Sequence, residues 1–250
     1  DIYGFARSLQ EDYENEDLLF LGTEFGLYIT INGGKNWSQF TNNVPPVAIH
    51  HLTLHKGTND LVMGTHGRGV IILDDISPLR QLNQEVLAKS VHFFDVPPGI
   101  FKETSPFGGT TMEREFVGES KSSTAKVIYY LKRKHIFGKM TMEIQDENGK
   151  VLTELQAGKA KGINVVSWNG RTRQPKMAKA KTFARGGFTS PRVQAGTYKV
   201  VMTKGKESYE TTISIDNDPN SLITDSERIA NHETTQKLFN MSEELACKSL

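Results

Sequence analysis

Two stretches decide the reading of this chain: LLFLGTEFGLYI, Leu18 to Ile29, and DLVMGTHGRGVII, Asp60 to Ile72. Each is an apolar run, then Gly-Thr, then a polar turn with glycine, then a second apolar run, which is the pattern of a β-hairpin. Gly22 and Gly64 stand 42 residues apart. That spacing matches the roughly 40 to 45 residue period of four-stranded propeller blades and exceeds the periods of leucine-rich and ankyrin repeats. A further strand candidate precedes each hairpin, ARSL before the first and HHLTLH before the second.

Closing a propeller takes about four to eight blades, and this repeat accounts for two at most. Two blades alone expose apolar faces and sheet edges, which invites pairing with other chains. The expectation is a fragment of a larger protein, with the remaining blades supplied by the same parent or by another chain. The N-terminus, DIYGFARS, has neither Met nor the apolar segment of a signal peptide.

Composition limits the function classes. The 250 residues carry 30 Lys and Arg against 29 Asp and Glu, a formal charge of +1. No global field recruits nucleic acid or an anionic membrane, so any electrostatic function is local. Cys247 is the single cysteine, which excludes an internal disulfide. No apolar run approaches the roughly 18 residues of a membrane span.

After the first hairpin comes TINGGKNW, Thr30 to Trp37. Its pattern is Ser/Thr-x-Asp/Asn-x-Gly-x-x-Trp, filled by Thr30, Asn32, Gly34 and Trp37. Short polar side chains bond a turn's own backbone, glycine permits positive φ, and Trp supplies an apolar lid. This is chemistry for holding a hairpin shut, with no nucleophile and no carboxylate pair for glycoside cleavage. The motif resembles the Asp-box of bacterial neuraminidase repeats and sortilin-type propellers, with Asn where Asp is usual. In those families the box is structural. GTHGRGVIILDDISPLRQL, Gly64 to Leu82, resembles the closing segment of the propeller in large secreted sortilin-like proteins. Residues 1–82 are thus expected to form the last one to two blades. Sialidases of this fold use an arginine cluster and a tyrosine nucleophile, for which Arg68 and Tyr28 are the local candidates. The bland reading has Arg68 bonding Asp74, Asp75 or neighbouring carbonyls, and no catalytic residue is assigned.

His50, His51, His55 and His66 raise a metal hypothesis. Strand residues alternate faces, so on a regular strand His50 cannot join His51 and His55, and no cysteine or helical His-Glu pattern completes a zinc set. No metal site and no cofactor are indicated.

Residues 83–122 read as a linker, rich in Pro, Gly and polar residues, with a short helix or connector in QLNQEVLAKS. Phe93, Phe94, Val96, Ile100 and Phe101 are too many apolar residues for a free tether, so part of the segment packs on a neighbour. From 123 to 217 six strand candidates follow: AKVIYYLK, GKMTMEIQD, KVLTELQ, GINVVSWNG, GTYKVVMTK and SYETTISID. Met140, Met142 and Ile144 alternate with polar residues, as do Tyr198, Val200 and Met202, which predicts sheets with one buried face. Asn148-Gly149 signals a two-residue hairpin turn. Trp168 and Tyr198 suit the interior of a β-sandwich. WNGR followed by AGTYKV resembles the immunoglobulin-like module of flagellar hook-capping type, which implies a spacing or adhesive role.

Between Trp168 and Tyr198 lies a run without one acidic residue, carrying Arg171, Arg173, Lys176, Lys179, Lys181, Arg185 and Arg192, with Phe183 and Phe188 interleaved. It reads as a polyanion-binding loop, as a solvated excursion, or as a loop pinned by its phenylalanines. In 218–250, Thr224 to Glu227 fits a capping box, and Leu238, Met241 and Leu245 share one face of a helix.

The expected whole is all-β: a partial β-propeller of one to two blades, an immunoglobulin-like β-sandwich and a C-terminal α-helix. The expected function is a non-catalytic binding module of a secreted or cell-envelope protein. Its alternative is an accessory part of an exo-acting, sialidase-like glycoside hydrolase. Expected partners are the remaining blades, other envelope proteins and a polyanion.

Overall fold

The computed structural model describes residues 2–101, 124–176 and 190–248, and it is all-β: a partial propeller, a β-sandwich and a C-terminal helix. The chain divides into two compact units, Asp1–Asp95 and Val96–Leu250.

The first unit contains two antiparallel sheets. β1 (Ala6–Glu11), β2 (Leu18–Thr23), β3 (Gly26–Ile31) and β4 (Ser38–Phe40) follow one another in space as in sequence. β5 (Ile49–His55), β6 (Asp60–Thr65) and β7 (Val70–Leu73) repeat that up-and-down order with three strands. The sheets face each other across Leu18, Phe20, Leu27, Ile49, Leu61, Met63 and Ile76, all fully buried. Each such side chain contributes about 1.5–3 kcal/mol relative to exposure. The sheets approach closely at Gly22, where a Cβ would lie 2.7 Å from the Ile49 carbonyl of the facing sheet and 2.5 Å from Ser8 Oγ of its own. No larger residue fits there without parting the sheets.

The sequence repeat recurs as geometry. In β1 the register skips between Ala6 and Ser8, opposite Thr23 and Gly22. In β5 it skips between Ile49 and His51, opposite Thr65 and Gly64. Both first strands therefore carry a β-bulge against the Gly-Thr pair of the second, a device that sharpens strand twist. Two short helices follow, α1 (Ser77–Arg80) and α2 (Gln84–Ala88), the latter capped by Asn83, whose side chain accepts from Val86 N. A three-residue strand, β8 (Val91–Phe93), comes last in this unit.

In the second unit all six strand candidates form: β10 (Ala125–Leu131), β11 (Met140–Gln145), β12 (Val151–Leu155), β13 (Gly162–Trp168), β14 (Gly196–Lys204) and β15 (Glu207–Asn217). β12, β11, β14 and β15 lie side by side, and β10 pairs with β13. The segment expected to be linker adds β9 (Gly99–Phe101), which pairs parallel to β15 at the sheet's edge. Phe101 is buried there, and a Cβ on Gly99 would collide with the Ala125 backbone at 2.7 Å. Met142 opposes Met202 and Ile144 opposes Val200, all four fully buried. Trp168 is 1% exposed. Its Nε1 donates to the Arg171 carbonyl at 2.9 Å, and its ring meets Tyr198 edge to face with centroids 5.2 Å apart.

One turn differs from expectation. Asn148-Gly149 does not make a two-residue hairpin. Gly149 N donates to the Asp146 carbonyl, only Gly149 has positive φ, and the Asp146 carboxylate accepts from Asn148 N and Lys150 N. The side-chain bonds of Asp146 hold Asn148 out of the left-handed region, giving a longer loop with a glycine bulge.

The C-terminal helix α3 (Asp225–Lys248) starts with the expected capping box: Thr224 N donates to Glu227 Oε2 at 2.8 Å, and Glu227 N donates back to Thr224 Oγ1. Leu238, Met241 and Leu245 share one face of the helix, as expected, and that face is exposed, at 59%, 49% and 63%. The less exposed residues are Arg228, His232, Thr235, Gln236, Phe239, Ser242, Glu243 and Ala246, a different stripe at i, i+4 and i+7 spacing. Polar contacts rather than the leucines decide how this helix docks.

Candidate functional site

TINGGKNW forms a tight polar knot after β3. The Thr30 side chain is buried, and its Oγ1 accepts from Gly34 N at 3.1 Å and from Asn32 N at 3.4 Å while donating to Asn32 Oδ1 at 2.9 Å. Asn32 Oδ1 also accepts from Asn36 N at 3.0 Å. Gly33 and Gly34 have φ of 63° and 84°, a region glycine enters without strain. Gly34 sits under the half-buried Trp37, with a Cβ position 3.8 Å from the indole. Thr30, Asn32, Gly34 and Trp37 are thus brought together, and every polar atom named is engaged within the turn.

The Gly-Thr pairs do related work in their hairpins. Thr23 Oγ1 donates to the Gly26 carbonyl at 3.1 Å, and Thr65 Oγ1 donates to the Gly69 carbonyl at 2.6 Å. The threonine hydroxyl closes each turn from its first residue.

A buried cluster that the sequence did not announce ties the two sheets together. Arg80, ending α1, donates from Nε to Asp12 Oδ2 at 2.8 Å and from Nη2 to Asp12 Oδ1 at 2.9 Å. Its Nη1 reaches Asn59 Oδ1 and Glu14 Oε2, each at 2.9 Å. The guanidinium lies over the Tyr13 ring, 4.6 Å from its centroid, and Tyr13 also donates to Asn59 Oδ1. Asp12 accepts in addition from Asn15 N at 3.0 Å. Burial alone lowers the Arg80 pKa, but the bonds to Asp12 and Tyr13 outweigh it and push the pKa above the ordinary arginine range. Nothing reactive is left over in this cluster. Asp12 stands among Glu11, Glu14, Glu16 and Asp17, so nothing local singles it out as the partner of Arg80.

The sialidase candidates Tyr28 and Arg68 have unlike surroundings. Tyr28 is 3% exposed and its hydroxyl accepts from Tyr3 N at 3.2 Å. Arg68 is exposed and makes no side-chain bond among the described residues. Asp75 is instead engaged by Ser77, through both its backbone N and its hydroxyl. The β5 bulge alters the histidine geometry: His50 is the extra residue, and it lies 5.6 Å from His66, ring centroid to centroid. Among the described residues no three His, Cys, Asp or Glu side chains converge on one point.

Of the basic-loop residues, Lys179, Lys181 and Arg185, like Phe183 and Phe188, lie outside the described residues. Arg171 donates to the Ser190 carbonyl at 2.6 Å. Arg173 forks onto Glu243 of α3 at 2.7 and 2.8 Å and lies over the Phe239 ring at 5.1 Å. Lys176 is exposed, and its backbone N donates to Glu243 Oε1 at 2.8 Å. These bonds hold the Glu243 carboxyl down at about 2. The described part of this loop therefore serves to clamp α3.

What remains open is apolar surface on the outer face of β5–β7. Val70 is 65% and Ile72 55% exposed, and Val62, directly opposite Ile72, is half-buried. β7 is also the last strand of its sheet, with one row of backbone groups unpaired in the sheet.

No protein-family model matches the chain. No curated protein matches it either. Among solved structures it is similar to PorZ, described as an essential bacterial surface component of the type-IX secretion system of human oral-microbiomic Porphyromonas gingivalis. Identity is 17% and the TM-score 0.28, over 84% of this chain and 22% of that one. The chain spans about a fifth of that protein's length. Among the described residues no helix is long and apolar enough to cross a membrane.

Proposed function

We propose that the chain is a non-catalytic interaction module of a larger secreted or cell-envelope propeller protein, in which the outer face of β5–β7 is covered by a further blade from the same parent or from another chain. The observation that carries this reading is the exposure of Val70 and Ile72 beside Val62 on a sheet whose opposite face is a complete apolar core. Blades in a closed ring bury both faces, and a sheet with one such bare face fits an incomplete ring. In this reading TINGGKNW is an Asp-box brace. The second unit is an immunoglobulin-like spacer, supported by Trp168 in the core and by the bond from the Tyr198 hydroxyl to the Gln194 carbonyl at 2.6 Å.

Lysine at Ile72 tests the proposal. Because the side chain is exposed, Ile72→Lys is expected to change the stability of the isolated chain by less than about 0.5 kcal/mol, while abolishing incorporation of the protein into its native assembly on non-denaturing gels. Unimpaired incorporation removes this face from the interaction. Turnover of a fluorogenic sialoside or another aryl glycoside, lost on replacing one carboxylate, overturns the non-catalytic reading.

A further inference from the structure

A groove of about 550 Å³ runs between the first turns of α3 and the segment leading into β14, a size within the roughly 300–1,000 Å³ of small-ligand sites. Arg192 stands at its wall. The Arg192 guanidinium lies over the Phe101 ring, 5.6 Å from the centroid. Phe101 is itself held from behind by Gly170, where any Cβ would strike the ring at 2.3 Å. The ring thus supplies a cation–π contact for the guanidinium on one side. Among the described residues it has no acidic partner. Desolvation, and then the like charge of Arg171, push its pKa down, and a neighbouring anion would favour the charged form. His232 and Arg228, one turn apart on α3, line the same groove, and His232 Nδ1 donates to the Arg192 carbonyl at 3.2 Å. Asp225 is the one carboxylate among the described lining residues, and it forms no ion pair with Arg192.

We propose that this groove binds an acidic peptide segment, with Arg192 forking onto a Glu or Asp carboxylate. The rest of the lining argues for peptide over acidic sugar. Ile223 and Ile229 offer half-open apolar walls for aliphatic side chains, which a sugar acid lacks, and Gln194, Asn217 and Asn231 offer amides that can bond a peptide backbone. Sugars favour an exposed aromatic platform, whereas Phe101 is 8% exposed and covered by Arg192. This inference stands apart from the β5–β7 face, and either can fail without the other.

The test uses fluorescence polarisation of the full 250-residue chain with a labelled hexapeptide carrying one Glu flanked by Leu and Ala, its Gln counterpart, and unlabelled glucuronate as competitor. The Glu peptide is expected to bind at least tenfold more tightly than the Gln peptide. Arg192→Gln is expected to weaken the Glu peptide at least tenfold and to leave the Gln peptide unchanged, with unaltered circular dichroism. Arg192→Lys, which keeps the charge but loses the fork, is expected to fall between. Absent binding, equal binding of the two peptides, an undiminished Arg192→Gln variant, or glucuronate competing as well as unlabelled Glu peptide each overturns the proposal.

Discussion

Arg80 and Asp12, 68 residues apart in sequence, meet in a two-pronged ion pair at 2.8 and 2.9 Å, with the Asp12 side chain fully buried. The pair joins the β1–β2 loop to the end of α1, and through Asn59 to the β5–β6 turn. It fixes how the two sheets of the first unit are held at one rim, and its geometry leaves no unpaired charge for chemistry.

Breaking one side of that pair strands the other. Arg80→Ala and Asp12→Ala are each expected to cost about 3–5 kcal/mol, read as a lower urea midpoint of the first unit. The double variant is expected to cost less than the sum of the two. Losses below about 1 kcal/mol for both singles contradict the structural role.

The TINGGKNW knot makes a similarly sharp prediction. Thr30→Val keeps the shape of a buried side chain but leaves Gly34 N and Asn32 Oδ1 without their threonine partner. It is expected to lower stability by about 2 kcal/mol, whereas Lys35→Ala, at an exposed position of the same turn, is expected to change it by less than about 0.5 kcal/mol. Equal effects in chemical denaturation contradict a bracing function.

The clamp on α3 is expected to depend on pH. The hydrogen bonds from Arg173 and then from Lys176 N hold the Glu243 carboxyl at about 2, below its ordinary value of about 4.3. A depressed carboxylate contributes stability that is fully present above the unfolded value and lost as pH falls toward the folded one. The anchoring of α3 is therefore expected to weaken between about pH 4 and pH 2. Carbon-13 titration of Glu243 is expected to show a midpoint near 2 that returns to the ordinary glutamate range in Arg173→Gln.

On the helix itself, Leu238→Gln is expected to cost less than about 0.5 kcal/mol because the side chain is exposed, and Ala246→Gln is expected to cost more than about 1 kcal/mol because Ala246 is 7% exposed. The reverse order in thermal unfolding contradicts the docking face described above.

Much of this fold was legible because its signals are local. Gly-Thr with alternating apolar runs marked both hairpins, the alternation of Met140, Met142 and Ile144 marked a half-buried strand, and Thr224 with Glu227 marked a helix start within one turn. What stayed hidden depends on distant partners. Arg80 and Asp12 carry no spacing that pairs them. β9 is three residues long and exists because β15 offers an edge beside Ala125. Leu238, Met241 and Leu245 keep helical period on an exposed face, while the docked face is set by the contact of Arg173 with Phe239, which no local pattern pairs. The β5 bulge likewise breaks the alternation on which the histidine reading relied. Phe101 and Arg192 read as a linker residue and a loop cation until the fold stacks one on the other.

Cysteine accessibility at Ile72 tests the central claim most directly. In a Cys247→Ser background, which removes the one exposed thiol, Ile72→Cys is expected to react with maleimide in the purified chain at the rate of an open surface thiol. In the native protein, labelled in its own cells before extraction, it is expected to react at least tenfold more slowly, because a neighbouring blade covers β7. Equal rates in the two settings contradict the proposal that this face is an interaction surface.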